Sequence, residues 1–376
     1  MPHPDFRNRR YFPGTHGNPF DVVLRAARAI QRLPPPVCAA GLAVLALLAA
    51  RVQWLPAGVL FAFFLGDWAL LAALPKAQKS FGPAKPPTLL LALLRAPFAL
   101  LPGPVALAAQ AIGTGLVIYG FWIEPYRVQL TRQTLHSPKW TAGAPPLRVL
   151  HLGDLHVERL TDRERQVVAL ARDTAPDLIL FSGDFLNLSN VYDPLAWEAV
   201  REIFRQLSAP LGVYVVSGSP PVDEPDVVPQ LVCDLPVRWL QDEQMTLEYH
   251  GQTFDLAGVT CTHKPFEDAP RLAKLVNHDP QRLKLLLYHS PDLAPDAADL
   301  GFDLQLSGHT HGGQVRLPIF GALYSGSLYG KRFEAGRRQV GGLTLYVTRG
   351  IGMEGQGAPQ VRFLCPPEVI LWEIGG

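Results

Sequence analysis

The sequence predicts an α/β domain carried behind a set of α-helical membrane spans. Three observations predict it. Long, nearly uncharged apolar runs occur only before residue 124. After Tyr126 the apolar runs become short and rich in Val, Leu and Ile, separated by Pro, Gly and charged helical stretches. Four of these short runs are followed directly by Asp or His. A chain of 376 residues accommodates two or more domains. Its formal charge of +1 gives no basic footprint, so no nucleic-acid partner is expected. Cys38, Cys233, Cys261 and Cys365 lack CxxC spacing. That excludes a zinc knuckle or disulfide framework and fits four small buried apolar residues.

Residues 1–35 read as a basic segment, with Arg7, Arg9, Arg10, Arg25, Arg28 and Arg32. Residues 36–124 read as a transmembrane region of four hydrophobic segments: Val37 to Ala50, Leu55 to Leu74, Thr88 to Leu101 and Val105 to Ile123. A spanning helix needs about 20 apolar residues. The second and fourth runs have that length; the first and third need flanking residues, or are buried or re-entrant helices. The fourth ends in Tyr119, Phe121 and Trp122, an aromatic interface belt. The basic residues before the first run, and Lys76, Lys79 and Lys85 between the second and third, place both segments in the cytoplasm. Four spans then make a multi-pass protein of the cell membrane with residues 125–376 in the cytoplasm; three would put them outside. Asn8-Arg9-Arg10-Tyr11-Phe12 looks like a twin-arginine export signal, but the first apolar run starts too far downstream, and no removable signal peptide is apparent. Asp67 and Arg95 lie inside apolar runs, where a charge calls for a partner or a nearby span end.

In residues 125–376 the expected strands are Leu147 to Leu152, Leu178 to Phe181, Gly212 to Val216, Leu283 to Tyr288 and Asp303 to Leu306. Helical segments include Asp162 to Asp173 and Trp197 to Leu207. The first strand ends in Gly153-Asp154-Leu155-His156 and the second in Ser182-Gly183-Asp184. The fourth ends in His289-Ser290-Pro291 and the fifth in Ser307-Gly308-His309-Thr310-His311-Gly312-Gly313. In open α/β sheets the ligand site lies outside the carboxyl ends of the strands, where such loops converge. Two carboxylates and four imidazoles there make a poor core and a good metal site.

The ordered set Asp-x-His, Gly-Asp, a lone His and Gly-His-Thr-His-Gly-Gly-Gln resembles the calcineurin-like metallophosphoesterase family. It is most similar to a bacterial membrane-associated branch in which a few hydrophobic spans precede the catalytic domain. The similarity runs from about Tyr126 to the C-terminus. It implies a four-layer α-β-β-α sandwich with a dinuclear centre at the strand ends. Asp154, His156, Asp184 and His311 would hold one metal. Asp184, His289 and His309 would belong to the second, with Asp184 bridging, and Asp184, His309 and His311 would form the catalytic core. The implied cofactors are two divalent transition-metal ions (Mn, Fe, Zn or Ni) that activate water.

One family motif is altered. Members usually end the third strand in Gly-Asn-His and an acidic residue, the Asn ligating the second metal and the His serving the leaving group. Here the chain reads Gly218-Ser219-Pro220-Pro221-Val222-Asp223-Glu224. Ser219 offers only a neutral oxygen and Pro220 no acid–base chemistry, so a weak second site is expected. Asp223, Glu224 and His263 are candidate substitutes, each expected to be a solvated surface residue if it is not one. Asn187 is expected to support its loop, His151 to be a satisfied core histidine, and His250 and His278 to be solvated.

The expected function is therefore hydrolysis of a phosphomonoester, phosphodiester or pyrophosphate bond by a metal-activated water, with a lipid-linked phosphate substrate and membrane lipids as partners. The alternative is a catalytically impaired metal-binding membrane protein with a regulatory or binding role. Beyond Asp67 and Arg95, nothing favours a transporter.

Overall fold

The structure, a computed structural model, describes residues 4–18, 20–276 and 279–376. His278 lies outside the described residues. The chain divides into two compact units, one of Pro19–Pro125 with Glu354–Phe363, the other of Met1–Asn18, Tyr126–Met353 and Leu364–Gly376. Residues 4–18, part of the basic segment in the sequence, thus belong to the α/β unit.

The helical unit contains α1 (Phe20–Arg32), α2 (Pro35–Ala49), α3 (Trp54–Ala73), α4 (Lys85–Arg95) and α5 (Gly103–Ile118). Among the described residues, two helices are long and apolar enough to cross a membrane: α3, with 20 residues, and the 24-residue Gly103–Tyr126 helix that continues α5. The other two expected segments are helices of 15 and 11 residues. At about 1.5 Å per residue they fall short of a hydrocarbon core of about 30 Å. Local signals cut them: Arg51 and Val52 turn left-handed after α2, and α4 gives way to a 3-10 turn containing Pro97. The α1 and α2 axes meet at 108°, so this pair makes at most one bent crossing.

Asp67 of α3 and Arg95 of α4 do pair. The guanidinium donates Nε–H to Asp67 Oδ2 at 2.7 Å and Nη2–H to Oδ1 at 2.8 Å, a bidentate fork. Arg95 Nη1 also donates to the Gln110 carbonyl at 2.7 Å, and Nη2 to Thr114 Oγ1 at 3.0 Å, both on α5. Three helices are thereby tied at one buried point. A Cβ on Gly113 would stand 2.6 Å from Nη1, so only glycine admits the guanidinium there.

The α/β unit begins with β1 (Gln129–His136), β2 (Leu147–Leu152), α6 (Asp162–Thr174), β3 (Leu178–Phe181), α7 (Pro194–Arg205), β4 (Val213–Val215), α8 (Val228–Val232) and β5 (Arg238–Trp239). It continues with β6 (Glu243–Tyr249), β7 (Gln252–Gly258), α9 (Pro265–Leu275), β8 (Leu283–Leu287), α10 (Ala294–Asp299) and β9 (Leu304–Ser307). It closes with β10 (Arg316–Leu317), β11 (Gly321–Ala322), β12 (Gly336–Val340), β13 (Leu343–Val347) and β14 (Glu368–Gly375). Two six-stranded sheets form, in the orders β1-β14-β2-β3-β4-β5 and β12-β13-β9-β8-β7-β6. Within the first, β2, β3 and β4 run parallel; within the second, β7, β8 and β9 do. Parallel strands are covered on both faces, which is why β3 reads Leu-Ile-Leu-Phe without a polar residue.

Packing follows from that pattern, and β2 illustrates the alternation. Leu150 and Leu152 pack with α6 and α7 side chains such as Val167, Val200 and Phe204. Leu147 and Val149 pack on Leu285, Leu304 and Leu306 of the second sheet. The far face of that sheet, with Leu286 and Leu345, packs on Leu272 and Ala297 of α9 and α10. Helix α6 starts at a capping box, Thr161 with Glu164, where the sequence places it. Of the cysteines, Cys38, Cys261 and Cys365 are buried as expected, whereas Cys233, in the turn after α8, is exposed.

Removing one partner of the Asp67–Arg95 pair strands a buried charge, which costs about 3–5 kcal/mol. Arg95→Leu should therefore lower the melting temperature in detergent sharply, and Asp67→Leu in the same chain should recover much of the loss. Additive losses in the double variant would contradict the pairing.

Candidate metal centre

The parallel strands deliver the chemistry at their carboxyl ends. Asp154 and His156 follow β2, Asp184 follows β3, and Ser219 follows β4. His263 follows β7, His289 follows β8, and His309 and His311 follow β9. Asp154, His156, Asp184, His309 and His311 all have left-handed backbones, φ between 41° and 72°. This conformation is costly for residues with a Cβ and gathers at functional sites.

Among the described residues, two groups of potential ligands result, each with its ligand atoms within 4.8 Å of one another: Asp154, His156, Asp184 and His311, and His263, His289 and His309. All seven residues are buried. Asp184 joins the groups. Its Oδ2 lies 3.2 Å from His156 Nε2 and 3.4 Å from His289 Nε2, while its Oδ1 accepts the Ser219 N–H at 2.6 Å. His156 Nε2 and His311 Nε2 are 2.9 Å apart. Asp154 Oδ1 accepts the His309 N–H at 2.8 Å, and Asp154 Oδ2 is buried without a hydrogen-bond partner among the described residues. An unsatisfied buried carboxylate oxygen beside facing imidazole nitrogens suits a cation.

Neighbouring groups orient the ligands. His289 Nδ1–H donates to the Ser182 carbonyl at 2.8 Å, which aims Nε2 at Asp184. His309 Nε2–H donates to the Gly326 carbonyl at 3.2 Å, leaving Nδ1. Burial, then the neighbouring His289, holds His309 down at about 3. Burial, then His309 and His289, holds His263 well below the usual histidine range. Both rings are therefore neutral near pH 7, the state that ligates. Burial pushes Asp154 up to about 6. Burial also works against ionised Asp184, yet His289 and His156 outweigh it and hold that carboxyl below the usual range. Glycines make room: a Cβ on Gly218 would collide with Asp184 Oδ1, and one on Gly308 would stand 2.5 Å from Asp154 Oδ2.

The candidate substitutes separate. Glu224 is half-buried and accepts the hydroxyl of exposed Tyr192, outside both groups. Asp223 is buried, which overturns its solvated reading. Its carboxylate accepts the backbone N–H groups of Gly218 at 2.7 Å, Asp184 at 2.8 Å and Phe185 at 3.0 Å. It pins the β3 and β4 loops together as a positioning residue. Burial and then the Asp184 charge push it up to about 7. His263 is buried as well and enters the second group, again overturning a solvated reading. His263 follows the end of β7 at Gly258 in the loop Cys261-Thr262-His263, the other strand end from which the sequence allowed it to reach the site. Asn187 braces its loop, donating to the Met353 carbonyl at 3.0 Å and accepting the Ser189 N–H at 2.9 Å. His151 is a core residue whose Nε2 lies 3.1 Å from Ser182 Oγ, and His250 is exposed in the β6–β7 turn.

Asp223→Ala leaves three buried N–H donors without their acceptor. An unsatisfied buried donor costs about 1–3 kcal/mol, so thermal unfolding should register a loss of at least about 2 kcal/mol. Asp223→Asn keeps one acceptor oxygen and should lose less. Equal melting temperatures for the wild type and Asp223→Ala would contradict the pinning role.

Residues 147–313 match the model of the calcineurin-like phosphoesterase family. The uncharacterized metallophosphoesterase YkuE of Bacillus subtilis is 30% identical over 283 residues, covering 72% of this chain and 94% of that protein. The phosphodiesterase YaeI of Escherichia coli is 28% identical over 269 residues, 68% of this chain and 92% of that one. The UDP-2,3-diacylglucosamine pyrophosphatase LpxG of Chlamydia trachomatis is 24% identical over 309 residues, 66% of this chain and 90% of that one. With strand-end Asp and His residues gathered into two potential metal-ligand groups, and with these similarities, the chain belongs to the calcineurin-like phosphoesterase family.

Proposed function

We propose that the protein is a membrane-associated, two-metal phosphoester hydrolase of the four-layer α-β-β-α type, acting on a lipid-linked phosphate. The observation that carries the hydrolase reading is Asp184, whose Oδ2 stands between the two ligand groups. In this reading Asp154, His156, Asp184 and His311 hold one ion, and Asp184, His289 and His309 belong to the other. Two such ions, when bound, would supply a clamp on the phosphate oxygens and an activated water. His309 and His311 would serve as ligands; attack would form a P–O bond from the water and break the ester P–O bond, the proton lost by the water balancing the one gained by the leaving oxygen.

The sheets stacked between two helical layers support the sandwich reading. Three features support the lipid-linked substrate: two membrane-length helices, a relative whose name specifies a diacylated sugar nucleotide, and the β10–β11 hairpin. That hairpin begins five residues after His311 and exposes Leu317, Ile319, Phe320, Leu323 and Tyr324. Such an apolar row beside a phosphate site suits acyl chains. The basic residues before the first apolar run favour a cytoplasmic catalytic domain.

Pro220, where the family motif would place the acid histidine, favours a second reading: a member with weak turnover kept for binding. General acid catalysis is worth about 10²–10⁴ in rate, which sets the size of the deficit.

Purified protein supplied with Mn²⁺ should hydrolyse an aryl phosphodiester, and Asp184→Asn should reduce this to background. Absence of turnover in the metal-loaded wild type would support the binding reading instead. Ile319→Asp with Phe320→Asp should raise KM at least about tenfold for a micellar lipid-linked phosphate and leave the soluble aryl substrate unaffected; equal effects on both would count against the lipid-linked substrate. A reporter active only outside the cytoplasm should be silent at the C-terminus; its activity would contradict the cytoplasmic assignment.

A further inference from the structure

We propose that His263 replaces the missing asparagine as a ligand of the second metal, giving that site three imidazoles, from His263, His289 and His309, plus the Asp184 carboxylate. The inference rests on the two-metal reading above and changes its second half. A site bearing Ser219 in the amide position is then complete.

Position supports the replacement. In the first sheet β2, β3 and β4 present Asp154 with His156, Asp184 and Ser219 at neighbouring carboxyl ends. In the second, β9, β8 and β7 present His309 with His311, His289 and His263. His263 and Ser219 come from the third strand of each parallel set. Their side chains meet: Ser219 Oγ lies 3.1 Å from His263 Nε2 and 3.1 Å from His289 Nε2. The small hydroxyl leaves room for a ring that a longer amide side chain would crowd.

The local backbone and burial point the same way. His263 has φ 62°, the left-handed conformation shared by five of the other six potential ligands. Its ring centroid lies 4.2 Å from that of His309 and 5.6 Å from that of His289. Its Nδ1 is buried without a hydrogen-bond partner among the described residues. Three imidazoles packed together out of water waste hydrogen-bonding capacity unless a cation takes their lone pairs. The N-terminal segment covers the ring as well. A Cβ on Gly14 would collide with His263 Nε2, so glycine is needed for residues 4–18 to lie there.

The donor set dictates the class of cation. Exchanging an amide oxygen for an imidazole nitrogen moves the second site toward Zn²⁺, Ni²⁺ or Fe²⁺ and away from Mg²⁺. The first site, with two carboxylates and two imidazoles, keeps the broader preference.

The test is the zinc content and affinity of the full-length protein in detergent, read by elemental analysis and chelator competition. Wild type should hold two ions per chain and His263→Ala one, with second-site affinity down at least about tenfold. Adding Ser219→Asn to His263→Ala should restore the second ion by returning the amide ligand, and should narrow the preference for Zn²⁺ over Mg²⁺. His263→Leu, which fills part of the ring's space without a donor atom, serves if the alanine variant fails to fold, and the first ion reports folding in every variant. A wild type without metal would overturn the two-metal reading itself. A wild type with two ions whose affinities survive His263→Ala or His263→Leu within about twofold would overturn the role of His263 alone.

Discussion

The centre depends on one carboxylate. Asp184 lies between two imidazole groups, with Oδ2 within 3.4 Å of a histidine from each, and it is buried. An ionised carboxylate out of water is costly unless opposite charge and hydrogen bonds compensate it. The Ser219 N–H compensates Oδ1, Asp223 fixes the Asp184 and Gly218 backbones, and Gly218 admits the carboxylate by having no side chain. Each device acts on a loop that the parallel sheet brings to the same end, so the sheet order and the carboxylate's position form one requirement.

Much of this was legible in the sequence because parallel strands are apolar throughout and their ends are punctuated by Gly with Asp or His. The cores of β2, β3, β4, β8 and β9 were readable for that reason, their ends to within a residue. Strand β7 was not, because Gln252-Thr253 and Asp255 interrupt its apolar run, with Asp255 paired to Arg282 and Thr246. His263 was therefore legible only as one of three candidate substitutes, without the strand that carries it to the other histidines. Asp223 was misread for a different reason: three backbone donors gathered by tertiary structure bury it, and no local pattern announces them.

The helical unit was legible in composition and less so in geometry. Four apolar runs became helices, but only two have membrane length, since proline and left-handed residues cut the others. The bidentate Asp67–Arg95 contact explains how charges persist among apolar residues there: each satisfies the other, and α5 supplies the remaining acceptors.

The central claim is that Asp184 is shared by two ions. Anomalous diffraction from crystals of the zinc-loaded protein tests it most directly. The account predicts two peaks about 3.5–4 Å apart, both within bonding distance of Asp184. A single peak, or two peaks that do not share Asp184, would contradict it.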